Sequence, residues 1–442
     1  MSIDVSSFGD LLNARPFDVH VWSEYPEVND FVNSIYGEIT SVDGHERLNK
    51  RLLKVLLLDL YVAWCADPSL KIMFSRDNNS YKAKSRYNEL HIGKKIVSIV
   101  DKLQSNNLIC EKRGFNDKIS GVGFQSRLWP TAKLIEHFKQ ARFSQFQISH
   151  HAEREVVILR DEDKNDVEYS DEPTFVTHTR SLLKDYNRLL ARTHIGIADL
   201  DKPVIDIGNG TNKVKLQISQ KDKFVRRIFN NSNWKQGGRF YGGWWQRCPS
   251  SYRTNIEFDG ILGAEVDFSG LHIVILYAQL GINYWSEIGE DPYALNLPED
   301  LFEGLDTRLV AKSLLLTALN AAHTTEAFQA FRQREPSGSP MKRLTDVQLN
   351  AVLVALKKKH SKISDKIASG IGIELMFLDS EITRKIIERF TYHYKCPILT
   401  IHDSYIVPFG YDRVLVSEMQ QAFAEVTGVG EPVVKHTTDY FD

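Results

Sequence analysis

The stretch GAEVDFSGLHIVILYAQLG, residues 263–281, constrains the fold more than any other part of the chain. An apolar lead-in, Ala264 and Val266, ends on Asp267, and a Phe-Ser-Gly turn follows. The almost continuous apolar run from Leu271 to Leu280 then predicts a buried helix. A carboxylate where a buried strand meets a turn is costly to desolvate unless a cation or donor sits beside it. A second stretch of the same kind, CPILTIHDSYIVPFG, residues 396–410, sets His402-Asp403 between two β-rich runs, Ile398 to Ile401 and Tyr405 to Val407. That pattern predicts a hairpin with an acid at its turn. Two carboxylates on neighbouring strands are suited to a pair of Mg²⁺ ions, with Mn²⁺ as a substitute, for phosphoryl transfer.

A chain of 442 residues has room for two or three domains and a large core. A hydrophobic share of 42% and a charged share of 25% are those of an ordinary soluble globular protein. No apolar run reaches the roughly 18 residues a membrane span needs, so no membrane partner is expected. The opening MSIDVSSFGDLLNARPFDVH lacks the basic, then apolar, pattern of a signal peptide. Cys65, Cys110, Cys248 and Cys396 are isolated, which suggests neither a zinc site nor a disulfide framework and fits a cytoplasmic setting. The net charge of −2 means that any surface for nucleic acid must be local.

Residues 46–66, ERLNKRLLKVLLLDLYVAWCA, carry apolar residues at helical spacing and predict a core helix. Between Tyr81 and Pro130 the order is RYNELHI, then KKIVSIVDKLQSNNLI with Ile96, Ile99, Val100 and Leu103 on one face, then two β-like stretches around a polar FNDKISGV turn. Helix, helix and two-stranded flap resemble a winged helix-turn-helix, with Lys94, Lys95, Ser98 and Lys102 towards solvent. From Tyr81 to Lys118 nine Lys or Arg face four acids, which favours contact with phosphates; the plain alternative is a helical docking domain with a solvated charged face. Residues 150–173 begin with a short strand and turn acidic, as a connection between domains would. Residues 174–197 read as a long amphipathic helix with Leu182, Leu183, Tyr186, Leu189 and Leu190 on one side.

From Asn212 to Arg253 there are ten Lys or Arg and a single acid, Asp222, with Trp234, Tyr241, Trp244 and Trp245 interleaved. Cations for phosphates and flat rings for bases are how nucleic-acid tracks are built. Arg226, Arg227, Lys235 and Arg247 are the expected contacts here, joined by His402 at the hairpin. Gly237-Gly238 and Gly242-Gly243 allow a close backbone approach. An aromatic core edge would explain the tryptophans but not the one-sided charge. Between the two aspartates, LDTRLVAKSLLLTALNAAH sets Arg308 and Lys312 four apart on a helical stretch, hence on one face. Two such cations beside two metal-holding acids suit the β- and γ-phosphates of a nucleoside triphosphate.

The order of these parts resembles the palm and fingers of family-A nucleic-acid polymerases, the bacterial-type DNA polymerases and the single-subunit phage RNA polymerases. Asp267-Phe268-Ser269-Gly270-Leu271 looks like their first palm motif. Arg308 and Lys312 match the Arg-x-x-x-Lys of their fingers helix, and Ile401-His402-Asp403-Ser404 their second metal motif. Gly238-Arg239-Phe240-Tyr241 is similar to a Gly-Arg-aromatic element ahead of the palm in the phage enzymes. The resemblance covers roughly residues 174–442, with GIELMFLDSEITRKIIERF, residues 372–390, as the helix feeding the second metal hairpin. It implies an α+β right hand with palm, fingers and reduced thumb over 174–442, ahead of which the residues themselves read as a helical winged-helix-like domain over 1–149 and an acidic linker over 150–173. It also implies that Asp267, Asp403 and the backbone of Phe268 hold Mg²⁺, while Arg308, Lys312 and Arg239 meet the nucleotide or template-primer.

The departures from that family fall near the sugar. Five residues after Asp267, where the DNA polymerases carry a glutamate, stands His272. Asn320 replaces the fingers tyrosine, Ala321 the glycine after it, and Ser404 the acid after His-Asp. A neutral wall there implies that ribonucleotides are accepted, at least in starting a chain. The short spacings between motifs and the absence of an exonuclease signature or promoter domain suit a compact primase-polymerase of a phage or mobile element. Its expected partners are a DNA template, nucleoside triphosphates and a small accessory protein. The rival readings are a His-Asp phosphohydrolase on His402-Asp403, a non-catalytic winged-helix replication protein with a degenerate polymerase body, and a template-independent tailing enzyme.

Overall fold

The structure, a computed structural model, describes residues 11, 13–39, 45–117, 122–207, 214–298, 302, 304–430 and 432–436. Lys118, Asn212 and Lys213, counted above among or beside the basic stretches, lie outside them. The chain is mixed α+β and divides into two units. One contains Met1–Val156, Leu190–Phe224 and Gly242–Tyr252; the other contains Val157–Leu189, Val225–Tyr241 and Arg253–Asp442. The division is interleaved where the sequence suggested consecutive domains. Among the described residues no helix is long and apolar enough to cross a membrane.

The first unit begins with β1 (Ala14–Pro16) and α1 (Pro26–Glu38), which opens on a proline as helix starts often do. The predicted core helix is α2 (Glu46–Ala66), buried without interruption from Leu52 to Ala63. After it come β2 (Lys71–Phe74), α3 (Ile96–Ser105), β3 (Ile109–Lys112), β4 (Ser126–Pro130) and α4 (Ala132–Gln140). The sheet order is β1-β2-β4-β3, with β1 parallel to β2 and the other pairings antiparallel. α3 buries Ile96, Ile99, Val100 and Leu103, the face read from the sequence. RYNELHI, by contrast, is a run of turns. The Asn88 amide donates to the carbonyls of Lys82 and Ile92 and its oxygen accepts from the Ile92 N–H, so a local side-chain network replaces a helical ladder.

In the second unit, β5 (Val157–Leu159) is fully buried and lies parallel to β6 (Arg226–Asn230). The expected linker over 150–173 therefore contributes a core strand. α5 (Thr174–Arg192) buries Leu182, Leu183, Tyr186 and Leu190, and the Tyr186 hydroxyl donates to the Ile398 carbonyl at 2.6 Å. β7 (Asn233–Tyr241) pairs antiparallel with β6 through a bulged register. A second sheet holds β8 (Ile256–Phe258) and β9 (Ile261–Phe268), followed by α6 (Leu271–Ala278). The helices α7 (Thr307–Asn320), α8 (Thr324–Arg334), α9 (Asp346–Lys359) and α10 (Gly372–Arg389) follow. The hairpin of β10 (Leu399–Ile401) and β11 (Ser404–Pro408), then α11 (Asp412–Thr427) and β12 (Val434–His436), complete the unit. In that sheet β8, β9, β11 and β10 are neighbours in this order, all antiparallel, and β12 also pairs with β9.

Candidate functional site

Asp267 and Asp403, 136 positions apart in the chain, meet at one end of that sheet. β9 and β11 are in register through Val266 with Tyr405 and Asp267 with Ser404, and the Phe268 N–H donates to the Asp403 carbonyl at 3.4 Å. The turn between β10 and β11 is tight enough to hold His402 at φ +56°, a left-handed value that a two-residue hairpin turn demands. Gly270 fills a similar need at the start of α6. Its φ is +68°, and a Cβ there would lie 3.0 Å from Pro292 Cγ.

The electrostatics single out Asp267. Its Oδ1 is buried and has no hydrogen-bond partner. Burial first, then the charge of Asp403, pushes its carboxyl up to about 7, while Lys312 on α7 pulls the other way. The neighbouring acid Glu265 is neutralised instead: Arg253 Nη1 lies 3.0 Å away and the Ser404 hydroxyl donates to it at 2.8 Å. Two like-charged carboxyls and an orphaned oxygen are a donor set short of a cation, so the residues fit a divalent ion. Among the described residues no group of three or more His, Cys, Asp or Glu converges as a metal site. Mg²⁺ bound here would rest on two carboxylates, with backbone, water and phosphate oxygens completing its shell.

Arg239, on β7, reaches the same cluster but is anchored. Its Nε and Nη2 donate to Asp379 Oδ2 of α10 at 2.9 and 2.6 Å. Asp379 is 1% exposed, and burial pushes its carboxyl up to about 6 against the pull of Arg239. Arg239 Nη2 also lies 3.3 Å from His272 Nε2. A guanidinium only donates, so Nε2 accepts and the proton of the neutral ring sits on Nδ1, which is buried without a partner. Burial and Arg239 agree with this, pushing His272 down to about 4. Arg239, expected to meet nucleotide or template, is held by Asp379 and in turn touches His272.

Arg308 and Lys312 share one face of α7, as their spacing predicts. Arg308 is ion-paired with Asp291, and the two cations lie 5.6 and 5.9 Å from the centre of the Tyr293 ring. Asn320 lies eight positions after Lys312 on the same helix. It sits at the last turn of α7, its amide donates to the Leu316 carbonyl at 2.7 Å, and its side chain abuts Gly372. Asn320, expected beside the sugar, is exposed at this helix end.

The basic, aromatic stretch departs most from expectation. Arg227 is wholly buried, donating to the Gly238 carbonyl at 2.7 Å, to Ser380 Oγ at 2.8 Å and to Glu381 at 2.7 Å, so it does not face a phosphate. The close approach that Gly238 permits is to Ser380, the Phe229 ring and Arg227 itself. Trp244 and Trp245 are buried against each other, and Gly243 makes room for the Trp245 indole. Of the other expected nucleic-acid contacts, Lys94, Lys235, Arg247 and His402 are exposed, whereas Lys95, Lys102 and Arg226 are half-buried.

Sequence reasoning passed over Asp379, although a signal existed. Leu375, Asp379, Ile382 and Ile386 fall on one helical stripe, and a carboxylate on an apolar stripe asks for a partner. Asp291 and Tyr293, in the loop after α6, carried no such signal. No protein-family model and no curated protein matches the chain.

Proposed function

We propose that the chain is a template-directed nucleotidyltransferase, joining a 3′-hydroxyl to the α-phosphate of a nucleoside triphosphate with release of pyrophosphate. The observation that carries the reading is the meeting of Asp267 and Asp403 at one sheet end, with an orphaned carboxylate oxygen and the Lys312 charge acting on it. Mg²⁺ held there would supply positive charge for the α-phosphate and for the attacking hydroxyl. Asp267 and Asp403 would hold the ions; Lys312 and Arg308 draw the β- and γ-phosphates, Arg308 by exchanging Asp291 for phosphate oxygens. His272, fixed by Arg239 and Asp379, would donate its Nδ1–H to a ribose hydroxyl.

The arrangement supports a palm made of β8 to β12 with α10, and fingers made of α7 to α9. In the N-terminal unit the order α2, β2, α3, β3, β4, with β4 between β2 and β3, supports a winged helix whose first short helix is replaced by turns. Exposed Lys94 is its candidate contact to the DNA template, and exposed Lys235 on β7 is a candidate contact of the second unit. Labelled ribo- and deoxynucleoside triphosphates offered with Mg²⁺ on primed and unprimed single-stranded DNA test the reading. Template-matched products that vanish in Asp403→Asn are expected. Products independent of template would make it a tailing enzyme, and none at all a non-catalytic binder.

A further inference from the structure

The C-terminal strand brings a cation to the carboxylate pair that neither motif contains. β12 pairs antiparallel with β9 in the register Val266–His436, Asp267–Lys435 and Phe268–Val434. Lys435 therefore stands directly across from Asp267, on the edge of β9 opposite to Ser404, and directly opposed residues project from the same face with Cβ atoms about 5 Å apart. Its side chain is exposed. The Lys435 charge also reaches Asp291: burial opposes, but Arg308, the Tyr293 N–H and Lys435 together hold that carboxyl below its usual range. Three cations from two elements thus surround one place, Arg308 and Lys312 from α7 and Lys435 from β12. The acids that share this place are Asp267, Asp403 and Asp291.

We propose that Lys435 is a third phosphate-binding cation, gripping the β- or γ-phosphate of the incoming triphosphate and then the departing pyrophosphate. This rests on the nucleotidyltransferase reading and adds a residue to it. In the step, the 3′-oxygen forms its bond to the α-phosphorus and gives its proton to solvent. The bond from that phosphorus to the bridging oxygen breaks, and the electron pair leaves on pyrophosphate. Lys435 stays protonated throughout and stabilises the charge that accumulates on the leaving group. A lysine on a strand edge, where backbone pairing fixes the Cα, delivers that charge with little reorganisation.

Binding of inorganic tripolyphosphate with Mg²⁺ to the full chain, measured by titration calorimetry, tests the site without requiring turnover. Lys435→Ala is expected to weaken it about 10- to 100-fold, the scale of one charged hydrogen bond, and Lys435→Arg to restore it to within about threefold. Melting temperatures of all three proteins should coincide, since the side chain is exposed. Equal affinity across the three proteins overturns the proposal, as does a loss shared by Ala and Arg with earlier melting, which marks a structural role. Nucleotide incorporation separates the two claims. A wild type that binds tripolyphosphate through Lys435 but incorporates nothing sinks the enzyme reading and leaves the cation site. A wild type that incorporates, with kcat/KM unchanged in Lys435→Ala, sinks the cation site and leaves the enzyme.

Discussion

The sheet end at Asp267 and the stretch from Asn212 to Arg253 looked equally functional in sequence, and the structure treats them in opposite ways. At the sheet end, charges that seem isolated along the chain converge and stay under-compensated: Asp267 keeps an orphaned oxygen beside Asp403. In the basic stretch, charges that seem unbalanced along the chain are paired by acids far away. Arg227 finds Glu381, Arg239 finds Asp379, Arg253 finds Glu265, and Lys221 finds Asp18 and Asp59. The lesson concerns separation in sequence. A run of like charge says little about a surface until the partners contributed by other segments are known.

The sharpest test of the contrast is substitution on each side of it. Asp403→Asn and Asp267→Asn should each reduce nucleotide incorporation by about 10³-fold or more, because residues acting as a unit fail together. Neither should unfold the protein in a melting experiment. Incorporation at the wild-type rate by either variant would dissolve the first half of the comparison.

Arg227→Ala should behave in the reverse manner. Its loss leaves Glu381 beside the buried bulge of β6 and β7, and truncating one partner of a buried pair costs about 3–5 kcal/mol. Glu381 keeps Arg384 at 3.0 Å, so the lower end is expected, read as a shift in the denaturant midpoint. A variant of unchanged stability that binds single-stranded DNA more weakly would return Arg227 to the surface role that the sequence suggested.

What the sequence made legible was local. The helix over 46–66, the 372–390 helix, the strand-turn-helix at 263–281 and the hairpin at 396–410 all follow from period and turn chemistry within one window. The meeting of Asp267 and Asp403 came from matching two such windows. Illegible were features decided between windows: the burial of Arg227, the anchoring of Arg239 by Asp379, and the pairing of Lys435 opposite Asp267. RYNELHI failed for a local reason, since Asn88 competes for the backbone with its own side chain.

A third test follows from the Asp267 carboxyl, pushed up to about 7 in the folded chain. Between about pH 4 and pH 7 the unfolded chain has released this proton and the folded chain still holds it. Stability without divalent ions should therefore fall as pH rises through that window. Asp267→Asn should flatten the slope and melt higher than wild type at pH 8, a gain of about 0.5–2 kcal/mol. Mg²⁺ must displace the same proton, so its affinity should climb towards pH 7 and level off above it. A wild type and Asp267→Asn with parallel melting profiles from pH 5 to pH 8 would mean that the carboxyl is already ionised and compensated.

The smallest effect is expected at Lys235, which is exposed on the same strand that buries Gly237, Gly238 and Phe240. Lys235→Ala should leave stability within about 0.5 kcal/mol, as surface substitutions do. If this lysine meets one phosphate, the slope of log affinity against log salt for single-stranded DNA should drop by about 0.7. The absolute loss is modest at any one salt concentration, so the slope is the quantity to measure. An unchanged slope would extend the internal-pairing lesson of Arg227 to the exposed end of β7, leaving the N-terminal unit, through Lys94, to carry the contact with nucleic acid.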